Sequence, residues 1–184
     1  MLKRRGCGVA IRIAAILAIL SVVGFPGVSQ AEGMGKDKFK TGDAAPDFTI
    51  PDLSGQNVQL SSFVGKKVVL LNFWGLRCGA CLEEMPYLEK IWKKYADKGL
   101  VVLGVDTDGV DRQTVVDTLK EVKVAVGYPL LLDQEFKVTD VYTNFLVPLT
   151  IVIDKQGIIQ YIHTGFEKGD EKAYEEAIRN QLGS

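Results

Sequence analysis

The chain has 184 residues, of which 47% are hydrophobic and 24% charged, with a formal net charge of −1. This is the composition of a globular domain large enough for one real core. The lack of a basic patch excludes a nucleic-acid binder. Three cysteines and one histidine supply no second cysteine pair or His-x-x-x-His run to complete a four-ligand zinc site.

The N-terminus stands apart. Lys3, Arg4 and Arg5 precede an apolar run, Ile13 to Phe25, which is followed by the small residues of Ser29-Gln30-Ala31. This pattern predicts a secretory signal peptide over residues 1–31, cut after Ala31, and so a periplasmic or other extracytoplasmic location. The alternative is an uncleaved N-terminal membrane anchor, for which the run is short and is interrupted upstream by Arg12. Cleavage removes four basic residues (Lys3, Arg4, Arg5, Arg12) and no acidic ones, so 22 basic residues become 18 against 23 acidic, a net charge of −5. Cys7 leaves with the signal, and the mature chain keeps Cys78 and Cys81 alone.

Residues 32–40 are polar and rich in Gly and Lys, which predicts a flexible leader before a single domain over 41–184. Phe48 to Leu60 alternates around Ser54-Gly55-Gln56 as a β-hairpin, and Ser61-Ser62-Phe63 starts a single helical turn. Val68 to Trp74 is continuously apolar but for Asn72, the mark of a strand covered on both faces. The helix after it should bury Leu82, Met85, Leu88, Trp92 and Tyr95, with Glu89 and Lys93 paired on its outer face, Pro86 inside it and Gly99 at its end. Leu100 to Val105 reads as a second buried strand. Asp111 caps a helix that turns Val115, Leu119 and Val122 inward. A short strand at Leu130–Leu132, a short helix over 135–142, a hairpin of Leu149–Ile153 and Ile158–Ile162, and a last helix over 170–182 follow. That last helix should turn Tyr174, Ala177, Ile178 and Leu182 inward. His163, the lone histidine, reads as a surface residue at a strand end. Strands alternating with helices make a three-layer α/β domain.

Cys78 and Cys81 lie where a buried strand runs into an amphipathic helix. The first sulfur then sits at the helix N-terminus, where free N–H groups and the helix dipole favour a thiolate. A cysteine three positions on can close or open a disulfide with it. A structural staple closing so short a loop would constrain the unfolded chain little, so this spacing points to redox chemistry. Arg77 adds a positive charge beside Cys78.

Asn72-Phe73-Trp74 ahead of Cys78-Gly79-Ala80-Cys81, Glu84-Met85-Pro86 behind it, Val147-Pro148-Leu149-Thr150 ahead of Ile153-Asp154-Lys155-Gln156-Gly157, and the opening Gly42-Asp43-Ala44-Ala45-Pro46-Asp47-Phe48 together resemble the thioredoxin superfamily. More narrowly, the chain is similar to exported thioredoxin-like proteins of the ResA/TlpA type. The resemblance implies a thioredoxin-like three-layer α/β/α fold with a central mixed sheet, an N-terminal hairpin and a strand-helix insertion between Val110 and Leu132. It also implies a cis bond before Pro148 and thiol-disulfide exchange with exported proteins, apocytochrome c among them, without a cofactor. Electrons would come from a membrane thiol carrier of the CcdA or DsbD type. Cys78 would be the nucleophile and Cys81 the resolving thiol. Asn72 carries no proton, which makes Glu84 the candidate for moving protons to and from Cys81. Trp74, Arg77, Val147 and Pro148 would border the partner, with the Val147 backbone holding it as an added strand. Arg77 stands where the family commonly has tryptophan, and Ala80 where it often has proline.

Two other classes share parts of this pattern. A peroxiredoxin-like peroxidase would use Cys81 as its peroxidatic cysteine, but requires a threonine near Cys78 and a proline near Trp74, and has neither. A Sco-type copper carrier would use Cys78, Cys81 and His163 as ligands, with its cysteines spaced one residue wider.

Overall fold

The computed structural model describes residues 38–183; the predicted signal peptide and the leader up to residue 37 lie outside them. Two sheets form. Strands β1 (Thr49–Pro51) and β2 (Asn57–Gln59) make an antiparallel hairpin. Strands β3 (Val68–Trp74), β4 (Leu100–Asp106), β5 (Leu130–Leu132), β6 (Leu149–Ile153) and β7 (Ile159–Thr164) make a five-stranded sheet in the order β5-β4-β3-β6-β7. β3, β4 and β5 run parallel, whereas β6 and β7 run antiparallel to their neighbours, so the sheet is mixed as expected.

All seven side chains of β3 are buried, because both faces of the sheet are covered. Val68, Leu70 and Trp74, with Leu100 and Val102 of β4, point to the side covered by helices α1 (Gly79–Tyr95), α2 (Arg112–Glu121) and α4 (Glu171–Leu182). Val69, Leu71 and Phe73, with Leu103 and Val105, point to the other side. There the hairpin, a 3-10 turn at Leu60–Phe63 and the one-turn helix α3 (Thr139–Tyr142) complete a second core. The period of two along each strand thus divides the apolar residues between two cores, each buried side chain contributing about 1.5–3 kcal/mol.

Both sheet edges are covered. The hairpin reaches β5 through Leu53 N–H to the Leu130 carbonyl, 3.0 Å, and its turn is closed by Asp52 accepting from the Ser54 and Gln56 N–H groups. The segment before β1 runs along β7, with Gly42 N–H donating to Ile159 O at 2.8 Å. Residues 38–40, the end of the predicted leader, have defined contacts: the Phe39 and Tyr142 rings are 5.4 Å apart, and the Lys38 ammonium donates to the Asp140 carbonyl.

Several expectations need correction. The buried stripe of α1 is Cys81, Glu84, Met85, Leu88, Ile91 and Tyr95; Leu82 and Trp92 are only half-buried. Glu89 pairs with Lys93 at 2.9 Å but also accepts from Gly127 N–H at 2.7 Å, tying a loop onto the helix. Val122 is exposed, because α2 ends at Glu121 and Lys123 takes a left-handed conformation (φ 59). The helix expected over 135–142 is confined to its last four residues: Phe136 sits at φ 56, which a helix does not allow. Asp133 then caps α3 by accepting from the N–H groups of Val138 and Thr139.

Candidate active site

β3 ends at Trp74, and α1 begins at Gly79 with Cys78 as its N-cap. The Cys78 sulfur accepts the Cys81 N–H at 3.1 Å. That donor and the helix dipole would both hold a thiolate there. In this oxidised state Cys78 and Cys81 are joined, with an S–S length of 2.05 Å and Cα atoms 5.2 Å apart. Cys78 is partly exposed and Cys81 fully buried, so an incoming thiolate meets Cys78 first.

The loop between strand and helix is fastened from β4. Thr107 donates its N–H and its hydroxyl to the Trp74 carbonyl at 2.9 and 3.0 Å, and the Asp108 carboxylate accepts the Leu76 N–H at 2.5 Å. Behind Asp108, the Asp106 carboxyl is 1% exposed and is pushed up to about 7, first by burial and next by the charge of Asp108. On the other flank, the Val147 carbonyl lies 3.7 Å from Cys78 Sγ, and the Val147–Pro148 peptide is cis.

Glu84 is fully buried on the face of α1 that carries Cys81. Its carboxyl accepts from Asn72 Nδ2 at 2.8 Å and from the Thr150 hydroxyl at 2.9 Å, and Asn72 also donates to Thr150 at 3.0 Å. The Tyr174 hydroxyl lies close to the same carboxyl, short of good hydrogen-bond geometry. Burial raises the Glu84 pKa from 4.5 to about 7 against the pull of these donors, with the Asp170 charge adding to the rise. A carboxyl poised there can give and take a proton near neutrality.

The sequence-predicted residues are thus divided. Cys78, Cys81 and Val147 meet at one point, with Pro148 next to Val147 and Glu84 on the Cys81 face. Arg77 is exposed beside Cys78, at the rim of an open cleft of about 410 Å³ lined also by Leu76, Asp108, Val110, Thr114 and Thr118. Trp74 is fully buried and cannot form a partner surface. Its indole lies over Gly104, where a Cβ would stand 3.3 Å from Trp74 Nε1 and 2.8 Å from Leu130. The sequence gives no site role to Thr150, Tyr174, Asp106 or Asp108: Thr150 stands in a motif and Tyr174 among the inward positions of the last helix. A threonine inside the buried run Leu149–Ile153 was the available signal for the first.

A helix-capping sulfur bonded to a buried one, on a thioredoxin-like α/β fold, defines a dithiol redox protein. Residues 41–162 match the AhpC/TSA family, and the chain belongs to that family. It is 33% identical over 152 residues to the thiol-disulfide oxidoreductase ResA of Bacillus thuringiensis, covering 82% of this chain and 85% of the relative. It is 36% identical to the thioredoxin-like protein YneN of Bacillus subtilis, covering 83% and 89%. Among solved structures, one from Chlorobium tepidum assigned as a thiol:disulfide interchange protein DsbE superposes with a TM-score of 0.71 at 31% identity, over 78% of this chain and all but 1% of that one (99% covered). Thiol-disulfide oxidoreduction through Cys78 and Cys81 is the activity these findings support.

Proposed function

We propose that the protein reduces disulfides in exported proteins, apocytochrome c foremost, and is recharged by a membrane thiol carrier of the CcdA or DsbD type. The observation that carries the cycle is a reachable Cys78 bonded to a buried Cys81, with Glu84 on the same helix face. In the reducing direction the Cys78 thiolate attacks the partner disulfide and forms a mixed disulfide. Cys81 gives its proton to Glu84 and attacks Cys78 Sγ, releasing the partner's thiolate. The Val147 backbone holds the partner chain alongside, and Arg77 favours the Cys78 thiolate. The reducing direction rests on the resemblance of the sequence motifs to exported proteins of the ResA/TlpA type. The described residues carry no nicotinamide or flavin motif, which is why an external electron donor is invoked. The working compartment is extracytoplasmic, on the strength of the N-terminal sequence pattern.

Deleting the protein tests the direction. Loss of a reductant leaves c-type cytochromes low, and an added external thiol restores them. Normal cytochromes with exported proteins accumulating free thiols would mean an oxidant instead. A peroxidase would need Cys81 as its attacking group, and Cys81 is the buried member of the pair. A copper carrier would need His163 turned to the cysteines, but His163 is engaged by Asp170. Among the described residues no three His, Cys, Asp or Glu side chains are grouped to hold a metal ion.

A further inference from the structure

Thiol-disulfide exchange at Cys78 requires a partner chain to lie over that sulfur, so the residues flanking it are the ones a partner covers. Among the described residues, the large hydrophobic side chains that stay exposed are Val64, Val116, Val122, Val141, Phe145 and Leu146. Half of them fall between residues 141 and 146, in the segment that runs into Val147. Single exposed apolar side chains are ordinary, but a cluster beside a reactive group marks a contact surface. The Val147 carbonyl is 3.7 Å from Cys78 Sγ. Successive Cα atoms are about 3.8 Å apart, so Phe145, two residues upstream, is within reach of a chain bonded to Cys78.

Phe145 is the most exposed of the six, at 63%, and it is held in place. Its φ is 58, and that of Phe136 is 56. A bulky residue seldom takes this left-handed conformation, and keeps it only where the surroundings impose it. Here the Phe145 N–H donates to the buried Thr143 hydroxyl at 2.9 Å. Phe136 is pinned on both sides: its N–H donates to the Asp133 carbonyl at 3.0 Å, and its carbonyl accepts the Asp140 N–H at 2.8 Å. The two rings are tilted against each other, their centroids 6.5 Å apart. Beneath Phe136 lies Gly109, where a Cβ would stand 2.4 Å from the ring's Cζ. Gly109 adjoins Asp108, which holds the Leu76 N–H just before Cys78. The aromatic pair therefore joins the loop after β4 to the loop before β6, on either side of the loop that carries Cys78.

The position directly before Cys78 differs in kind. Where the family commonly has tryptophan, the chain carries the exposed Arg77 beside a cleft with Asp108, Thr114 and Thr118 in its wall. A large apolar anchor is thus missing before Cys78 and present before Val147. We propose that Phe145, backed by Phe136 and continued by Leu146, is a docking lip that selects disulfide partners carrying a large apolar side chain next to the target cysteine, an inference that rests on the partner-reducing cycle. The occupant is an extended segment of the partner protein. Its cysteine meets Cys78, and the neighbouring side chain lies on the Phe145 ring. An aromatic residue suits this place best, because a ring against a ring gains more than the area it buries. The Phe145 backbone is fixed before the partner arrives, which lowers the ordering cost of binding.

The probes are acetylated and amidated pentapeptides, Gly-Xaa-Cys-Xaa-Gly, joined as symmetric disulfides, with both Xaa either phenylalanine or serine. The reduced full chain attacks a probe through Cys78, forming a mixed disulfide and freeing one peptide thiol. Cys81 then displaces the second peptide, so the probe is reduced, the chain is oxidised, and the two protons of the dithiol end on the two peptide thiols. The natural chain should reduce the phenylalanine probe roughly tenfold faster than the serine probe. Phe145→Asn and Phe145→Gly, both at ease with a left-handed backbone, should each remove most of this preference, and Leu146→Ser part of it. The preference is a ratio of two rates on one variant, so a change in Cys78 reactivity cancels, and a merely structural defect would slow both probes alike. Val64→Ser removes an exposed apolar side chain just ahead of the far end of β3 and should keep the natural preference. No preference in the natural chain, or one that survives both substitutions at Phe145, overturns the lip. If the natural chain reduces neither probe faster than free cysteine at the same concentration, the partner-reducing reading falls and takes the lip with it.

Discussion

Glu84 lies one helical turn beyond Cys81 on the buried face of α1, and its carboxyl joins Asn72 of β3 to Thr150 of β6, residues 78 apart in sequence. The resolving sulfur and the carboxyl that can take its proton are therefore fixed by one helix and two strands. The attacking sulfur sits at the helix mouth within reach of solvent. Division of the pair into a reachable and a sheltered member gives the cysteines unequal roles.

Cys81→Ser should trap a mixed disulfide with a protein partner, because the linked Cys78 then has no resolving thiol. Cys78→Ser should trap none, since Cys81 is fully buried. Non-reducing electrophoresis of each variant after incubation with an oxidised partner reads the difference. Trapping by Cys78→Ser alone would reverse the assignment.

Glu84 also leaves a mark on stability. Its pKa is raised by burial from 4.5 to about 7, so between these values the folded state holds more protons than the unfolded one. Stability therefore falls as pH rises through that window and levels off above it. The full difference amounts to about 3 kcal/mol. Glu84→Gln removes this contribution, and its amide can flip to donate to Asn72 Oδ1, which has no partner now. Urea unfolding of the oxidised chains should show the variant gaining on the natural protein as pH rises from about 4.5 to about 7. A constant difference across that window would mean that Glu84 is not buried in its charged form.

The strands and the redox pair were legible in the sequence because each rests on local pattern: a continuous apolar run for β3 and β4, and a cysteine pair at a strand–helix junction; the mixed order of the sheet followed only from the resemblance to the thioredoxin superfamily. What escaped depends on long-range contact. Glu84 stands out in the sequence as the candidate proton carrier, but its full burial and its bonds to Asn72 and Thr150 come only from the packing of α1 on β3 and β6. His163 reads as a surface residue until α4 brings Asp170 and Tyr174 down onto β7. Trp74 belongs to a motif bordering the cysteines, and only the bare backbone of Gly104 shows that its indole turns inward.

That inward turn predicts how Trp74 behaves. Gly104→Ala places a methyl 2.8 Å from Leu130 and 3.3 Å from Trp74 Nε1. Overpacking of this kind costs about 1–3 kcal/mol, so the melting temperature should drop. Partner affinity of the folded variant, followed by the yield of mixed disulfide on a Cys81→Ser background, should stay unchanged. A variant of natural stability with weak partner capture would return Trp74 to the partner surface.

The Asp108–Leu76 hydrogen bond offers a way to loosen the loop before Cys78 without touching either sulfur. The Asp108 carboxylate is the acceptor for the Leu76 N–H at 2.5 Å, and its charge is the second cause, after burial, of the raised Asp106 pKa. Asp108→Ala removes both effects. A hydrogen bond to a charged group contributes about 1.5–3 kcal/mol, and because Asp108 is exposed the loss should fall at or below the low end. Asp108→Asn keeps an acceptor while removing the charge, so it should lose less stability yet still lower the Asp106 pKa. Carboxyl-carbon NMR of Asp106 through a pH titration reads that shift, and unfolding of the two variants reads the bond. Equal destabilisation by Ala and Asn would mean that Asp108 acts through its charge alone; an Asp106 titration identical to that of the natural protein would show that the two carboxyls do not interact.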